Sequence, residues 1–268
     1  MREIIKQILT TNLDGLSAYD ELLYLFNSFK KFPFFIIPIN PNQEIYRSRY
    51  NVINESKKEY SEFKDFLLKD SDKVIDFGRL NKPFQSVLYV SESIKTTISE
   101  LMPNWFTEVG ARELINVTTG EFKINEILKV IVIPDFKNRK MNKLINKAKI
   151  KEETDDDKYF LSFINMIFRD NSLYNSKTYI VTAAFANTLR TYCYNKSIRF
   201  DGILYTSAQD RKGYNVALEP HVIDNHMIRL KKITKEIIRK IDSSPKYITQ
   251  CKTIKPKSLD FLNNKIIW

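Results

Sequence analysis

The side chains best suited to chemistry fall in three stretches. The first is Tyr46-Arg47-Ser48-Arg49, and the second is Gly78-Arg79-Leu80-Asn81 followed by Tyr89 and Glu100. The third runs Asp201-Gly202-Ile203-Leu204-Tyr205-Thr206-Ser207, with Gly213 and Asn215 just beyond. Each lies at the end of a predicted strand or on the loop after it, where a rigid sheet can hold a polar group against a ligand. The chain has only 6 glycines and no glycine-rich phosphate loop, so any phosphate-bearing ligand would have to be held by side chains, chiefly arginine. Arginine suits that task because its planar fork meets phosphate oxygens two at a time.

Other chemistries find less support. Ser207 has no Gly-x-Ser-x-Gly elbow and no suitably placed histidine, which argues against a serine hydrolase. His221 and His226, with Asp224 between them, lack a further ligand motif, so a structural role is expected and no metal. The acidic run Asp155, Asp156 and Asp157 lacks the Asp/Gly alternation of a calcium loop and reads as a solvated loop. Cys193 and Cys251 match no metal or redox spacing, which fits a reduced, cytoplasmic compartment. Taken singly, Arg79 reads as a surface ion-pair residue, Glu100 as a polar helix face, Tyr89 as core and Ser207 as a cap. Only their order along the chain reverses those readings.

The elements that must position these groups are legible in outline. Residues 3–31 read as helical, with Ser17 as a cap and Leu22, Leu23, Leu25 and Phe26 at helical spacing. Short strands are expected at residues 34–37 and 45–50, and again at 86–90, 129–133, 203–206 and 214–218. Ser91 or Ser93 can cap a short helix carrying Thr97 and Glu100, and two further helices are expected at 159–168 and 178–195. Residues 56–69 read as a helix or a long surface excursion, and 137–158 as a loop or exposed insertion. In the basic tail, 226–268, helix and strand cannot be separated. The economical division is an N-terminal helical extension (1–44), a catalytic domain (45–225) and a tail packing on or extending it (226–268).

The 268 residues carry a net charge of +11, with 43% hydrophobic and 28% charged residues, which is ordinary for a globular protein. The lysines spread along the whole chain and concentrate after residue 229, so a solvated basic surface is favoured over a nucleic-acid partner. The stretch from Phe32 to Ile39, interrupted by Pro33 and Pro38, is far shorter than the roughly 20 apolar residues of a membrane span. The N-terminal MREIIKQILTTNLDG has charges within its apolar part and does not read as a signal peptide.

Together the motifs resemble the RES domain family, the toxin component of bacterial toxin–antitoxin pairs. The family's Gly-Arg-x-Asn corresponds to Gly78, Arg79 and Asn81, its Leu-Tyr to Leu88 and Tyr89, and its helix-borne Glu to Glu100. Its Asp-Gly-Ile-x-Tyr-x-Ser lands on Asp201 through Ser207, with a trailing Asn at Asn215. The early Tyr-Arg-x-Arg resembles Tyr46 to Arg49, and the Tyr-x-x-Thr helix start resembles Tyr179 and Thr182. Two departures stand out: Phe84 where the family often has Gly, and Ala183 where it often has Gln.

The resemblance implies an α/β (α+β) fold like that of ADP-ribosyltransferases, a mixed sheet flanked by helices, with NAD as substrate. It assigns Arg79 to the phosphates, with Arg47 and Arg49 as further candidates, and Tyr89 to the cationic nicotinamide ring. Glu100 would stabilise positive charge as the nicotinamide–ribose bond breaks. Ser207 would hydrogen-bond the nicotinamide amide or orient Glu100, while Asn81 and Asn215 hold ligand or loop. The expected activity is NAD cleavage by glycohydrolysis or phosphorolysis. The alternatives are ADP-ribose transfer to a protein or nucleic acid, and a non-enzymatic basic binding module. The implied protein partner is an antitoxin with a helix-turn-helix domain, with homo-oligomer assembly left open.

Overall fold

The computed structural model describes residues 2–12, 15–29, 32–53, 56–57, 59–101, 114–147, 154–169, 176–240 and 248–268. Helices α1 (Arg2–Thr10) and α2 (Gly15–Asn27) precede strands β1 (Phe35–Ile39) and β2 (Glu44–Tyr50). A small hairpin follows, β3 (Val52–Ile53) with β4 (Ser56–Lys57), and then 3-10 turns at Phe63–Phe66 and Ser71–Lys73. Next come β5 (Leu88–Ser91), α3 (Ile94–Leu101), β6 (Leu114–Ile124), β7 (Leu128–Val132) and α4 (Arg139–Lys147). Helices α5 (Asp155–Arg169) and α6 (Ser176–Asn195) lead to β8 (Gly202–Thr206), β9 (Tyr214–Leu218) and α7 (Pro220–Asp224). The chain then forms β10 (Ile228–Lys240), β11 (Ile248–Ile254), β12 (Ser258–Asp260) and β13 (Lys265–Ile267).

Nine of these strands make one mixed sheet, in the order β1-β7-β8-β9-β5-β2-β6-β10-β11. Only β7 and β8 pair in parallel among the described residues. The α/β class expected from the sequence is the one observed. Alternate residues of the central strands feed two cores, as the pleat requires. Ile131 of β7 packs with α1, α2, α5 and α6 on one face, while Val130 and Val132 pack on the other with Met141 and Ile145 of α4. Phe26, Phe29, Phe32, Phe160 and Phe185 interlock their rings in the first core, tying the N-terminal helices to α5 and α6.

The junction between β5 and β2 is different. A single pair, Tyr46 with Ser91, joins them, and beyond it the two strands part. Five strands lie on one side of this seam and four on the other.

Several local expectations change. Of residues 137–158, 148–153 lie outside the described residues, and the part before them is helical: α4 buries Met141 and Ile145 four residues apart, and Asn138 caps it by accepting the Met141 amide at 3.1 Å. The acidic run forms the first turn of α5, where Thr154 and Asp157 accept each other's backbone amides at 3.1 Å in a capping box. Ser17 lies inside α2, which begins at Gly15, rather than at its cap. Among the described residues of 56–69, Ser56–Lys57 form β4 and Phe63–Phe66 a 3-10 turn, so an excursion rather than a helix forms, with Tyr60, Phe63 and Phe66 buried beneath it. The tail resolves into strands, with β10 pairing along β6 over most of its length. Lys30 and Lys31, at the end of the predicted helical stretch, lie outside the described residues.

Candidate active site

The parting of β2 and β5 opens a cleft of about 640 Å³. Arg47, Arg49, Arg79, Tyr89, Glu100 and Asn215 line it, so six of the eight site residues named from the sequence share one concave surface. Asn81 and Ser207 stand directly behind two of them.

Glu100 is delivered by α3. Ser93 caps that helix, its hydroxyl accepting the Thr96 amide at 3.2 Å. Thr96 and Glu100 are four residues apart and so share a helix face. Thr96 donates to Asp210 Oδ2 at 3.0 Å, which docks α3 on the loop after β8. One turn on, Glu100 Oε1 meets the same loop at the Ser207 hydroxyl, which donates to it, and also accepts from Asn215 Nδ2 of β9 at 2.9 Å. Asn215 is in turn fixed by Ser91, whose hydroxyl donates to Asn215 Oδ1 at 2.7 Å. Two donors therefore converge on one carboxylate oxygen.

Ser207 is fully buried and its hydroxyl is spoken for on both sides, since it also accepts the Asp210 amide at 2.8 Å. Of the two roles open to it from sequence, contact with Glu100 is the one made without a ligand.

Arg79 sits in the Gly78–Asn81 turn, held by Tyr89. The Tyr89 hydroxyl accepts the Leu80 amide at 2.8 Å and donates to Asn81 Oδ1 at 2.7 Å, and burial pushes its pKa up. Its ring, not its hydroxyl, is what the cleft can use. A Cβ on Gly78 would fall 2.2 Å from Asn81 Oδ1, so the turn has no room for a side chain there. Arg190 braces the turn from α6, donating to the Leu80 carbonyl at 2.9 Å while paired with Glu219 at 2.8 Å. The Arg79 guanidinium donates to the Phe168 carbonyl at 2.8 Å and lies 5.1 Å from the centre of the Tyr179 ring. Tyr179 thereby joins the cleft lining together with Tyr205.

Arg47 and Arg49 project from one face of β2. Arg47 donates to the Leu67 carbonyl at 3.1 Å, and the Nε of Arg49 is buried without a hydrogen-bond partner. Burial, then the like charge of Arg49, lowers the Arg47 pKa. The cleft lining thus holds three guanidiniums against one carboxylate, an arrangement that calls for an anionic ligand.

Three contributors carry no site role in the sequence reading. Thr97 accepts the Ser48 amide at 3.0 Å and locks α3 to β2; Ser91 sets Asn215; Tyr60 reaches the cleft from the excursion after β4. Tyr60 is the one with a signal, an aromatic in a charged stretch. The family's departures also find their places. Ala183 is buried within α6, and Phe84 takes a left-handed φ of 62°, the conformation that suits the glycine common there.

His221 Nε2 lies 3.0 Å from buried Asp201, which also accepts from Arg199 at 3.1 Å and from the Lys129 amide at 2.7 Å. Among the described residues no three His, Cys, Asp or Glu side chains gather as a metal site, and no helix is long and apolar enough to cross a membrane.

In comparison with known families, the RES domain model matches residues 71–232, more than half of the chain. Arg79, Asn81, Tyr89, Glu100, Ser207 and Asn215 fall inside the match, and Arg47 and Arg49 precede it. No curated protein matches the sequence.

Proposed function

Because this chain belongs to the RES domain family, one associated with NAD-related toxin function, we propose that it cleaves the nicotinamide–ribose bond of NAD. The observation that carries this reading is the single Glu100 oxygen held by Ser207 and Asn215 in a cleft otherwise rich in arginine.

The pyrophosphate would lie against the guanidiniums of Arg47, Arg49 and Arg79, whose forks match its oxygens. Tyr89 would offer its ring face to the cationic nicotinamide. As the C1′–N bond breaks, its electron pair leaves with nicotinamide, which becomes neutral, and positive charge appears on the ribose. A pre-aimed carboxylate stabilises charge that exists only in the transition state, so Glu100 raises the rate rather than the affinity. Because the leaving group departs neutral, no second, protonated carboxyl is required. Water adding at C1′ gives ADP-ribose and releases a proton; phosphate would give the 1-phosphate instead.

The test is to incubate the pure protein with NAD and follow free nicotinamide. Release that Glu100→Ala abolishes supports the reading; no release, or undiminished release from that variant, sinks it. Adenine-labelled NAD separates the outcomes. Label in ADP-ribose means hydrolysis, label in its 1-phosphate only when phosphate is present means phosphorolysis, and label on a macromolecule means transfer. An antitoxin that covers the cleft would suppress nicotinamide release in the same assay.

A further inference from the structure

One wall of the cleft is held from outside the family-matched region. Residues 59–67 supply Tyr60 to the lining and the Leu67 carbonyl that receives Arg47. The Tyr60 hydroxyl also donates to the Tyr50 carbonyl at 2.9 Å, so this segment sets the position of β2 where it borders the gap.

The segment carries little secondary structure of its own, and residues 258–268 fasten it. The Ile266 amide donates to the Ser61 carbonyl at 2.7 Å and the Phe63 amide to the Asn264 carbonyl at 3.3 Å. The Phe63 and Phe261 rings stand 4.8 Å apart, and Ile266 is buried in the same core as Tyr60. Trp268 closes the arrangement. Its indole Nε1 donates to the Tyr60 carbonyl at 2.8 Å, and its ring lies 4.0 Å from Lys235 Nζ, which also pairs with Glu59 at 2.7 Å.

We propose that Trp268 is a positioning residue for the cleft: through Tyr60 it holds the wall that seats Arg47 against the ligand. Trp268 makes contact with none of the reacting groups. Its loss should therefore weaken ligand capture and leave the bond-breaking geometry of Glu100, Ser207 and Asn215 intact, because those groups sit on α3, β9 and the loop after β8. With NAD as the ligand, this rests on the function proposed above.

The experiment compares wild type with Trp268→Ala and Trp268→Phe. One indole hydrogen bond and one ring–cation contact set the scale, so the alanine variant should raise KM for NAD about tenfold with kcat within twofold. The phenylalanine variant keeps a ring for Lys235 and should fall between. Hydrogen exchange without ligand gives a readout independent of turnover. It should quicken in residues 59–67 of the alanine variant and stay unchanged in 202–218. Unchanged exchange at 59–67, exchange quickened throughout the sheet, or an unmoved KM would each overturn the proposal. If wild type releases no nicotinamide, the NAD reading fails, and the exchange comparison alone decides whether Trp268 holds the wall.

Discussion

Replacing Ser207 with alanine removes one of the two donors that aim Glu100. The hydroxyl donates to Glu100 Oε1 and accepts the Asp210 amide at 2.8 Å, so the change has two separable costs. A hydrogen bond to a charged group is worth about 1.5–3 kcal/mol net. If that energy serves orientation in the transition state, kcat should fall about 10- to 150-fold. Asn215 Nδ2 remains at 2.9 Å from the same oxygen and keeps Glu100 in the cleft, so KM should stay within about twofold. The stranded Asp210 amide costs stability separately, about 1–3 kcal/mol, a shift of several degrees in melting temperature. Nicotinamide release at saturating NAD, with a thermal melt of the same preparation, measures both. A variant that melts earlier yet keeps kcat within twofold of wild type would refute the claim that this hydroxyl aims the carboxylate.

Three further outcomes are expected. Arg49→Gln should raise KM for NAD at least about tenfold while leaving the ligand-free melting temperature unchanged or higher, because it removes a like charge from beside half-buried Arg47; melts with and without NAD read both effects. Phe84→Gly should stabilise the protein by about 1 kcal/mol in urea unfolding, since Phe84 holds a φ of 62° that glycine adopts without strain and the residue is 68% exposed. Burial works to raise the Asp201 pKa, but hydrogen bonds from His221, the Lys129 amide and Arg199 outweigh it and hold the carboxyl below the usual aspartate range. Its folded pKa lies below its unfolded one, so its stabilisation is present above the unfolded value and is lost as pH falls through the folded value. The stability gap between wild type and Asp201→Asn should therefore be constant near neutrality and close below about pH 4, as followed by urea unfolding across that range.

Much of the cleft was legible because its residues sit at fixed points relative to short, apolar strands. β8 is buried along its whole length, which is why Gly202–Thr206 stands out and why Ser207 just after it can be placed. The less legible parts have physical reasons. β10 skips Lys231 where it pairs with β6, and β11 skips Cys251 where it pairs with β10, so each strand slips its alternation by one residue and blurs the two-residue period. β6 buries Thr118, Thr119 and Gly120, small or polar residues that give no apolar alternation to follow. In α4 charge hides a stripe only one residue wide, made by Met141, Leu144 and Ile145. The support of the site was hidden for another reason. Thr97, Ser91 and Tyr60 matter through partners 49, 124 and 208 residues away, and no local pattern announces such pairings.

The seam between Tyr46 and Ser91 bears on how turnover could end. Backbone ladder bonds are missing along the stretch that the cleft occupies, and its two banks carry different chemistry, Arg47 and Arg49 on one and Tyr89 and Asn215 on the other. A dinucleotide lying across would act as a rivet, its phosphates shared between Arg47 and Arg49 on one bank and Arg79 beside the other, with its nicotinamide end on Tyr89. Cutting the nicotinamide bond would remove one of the two fastenings on the Tyr89 bank, so the reaction itself would loosen the rivet and let the fragments go.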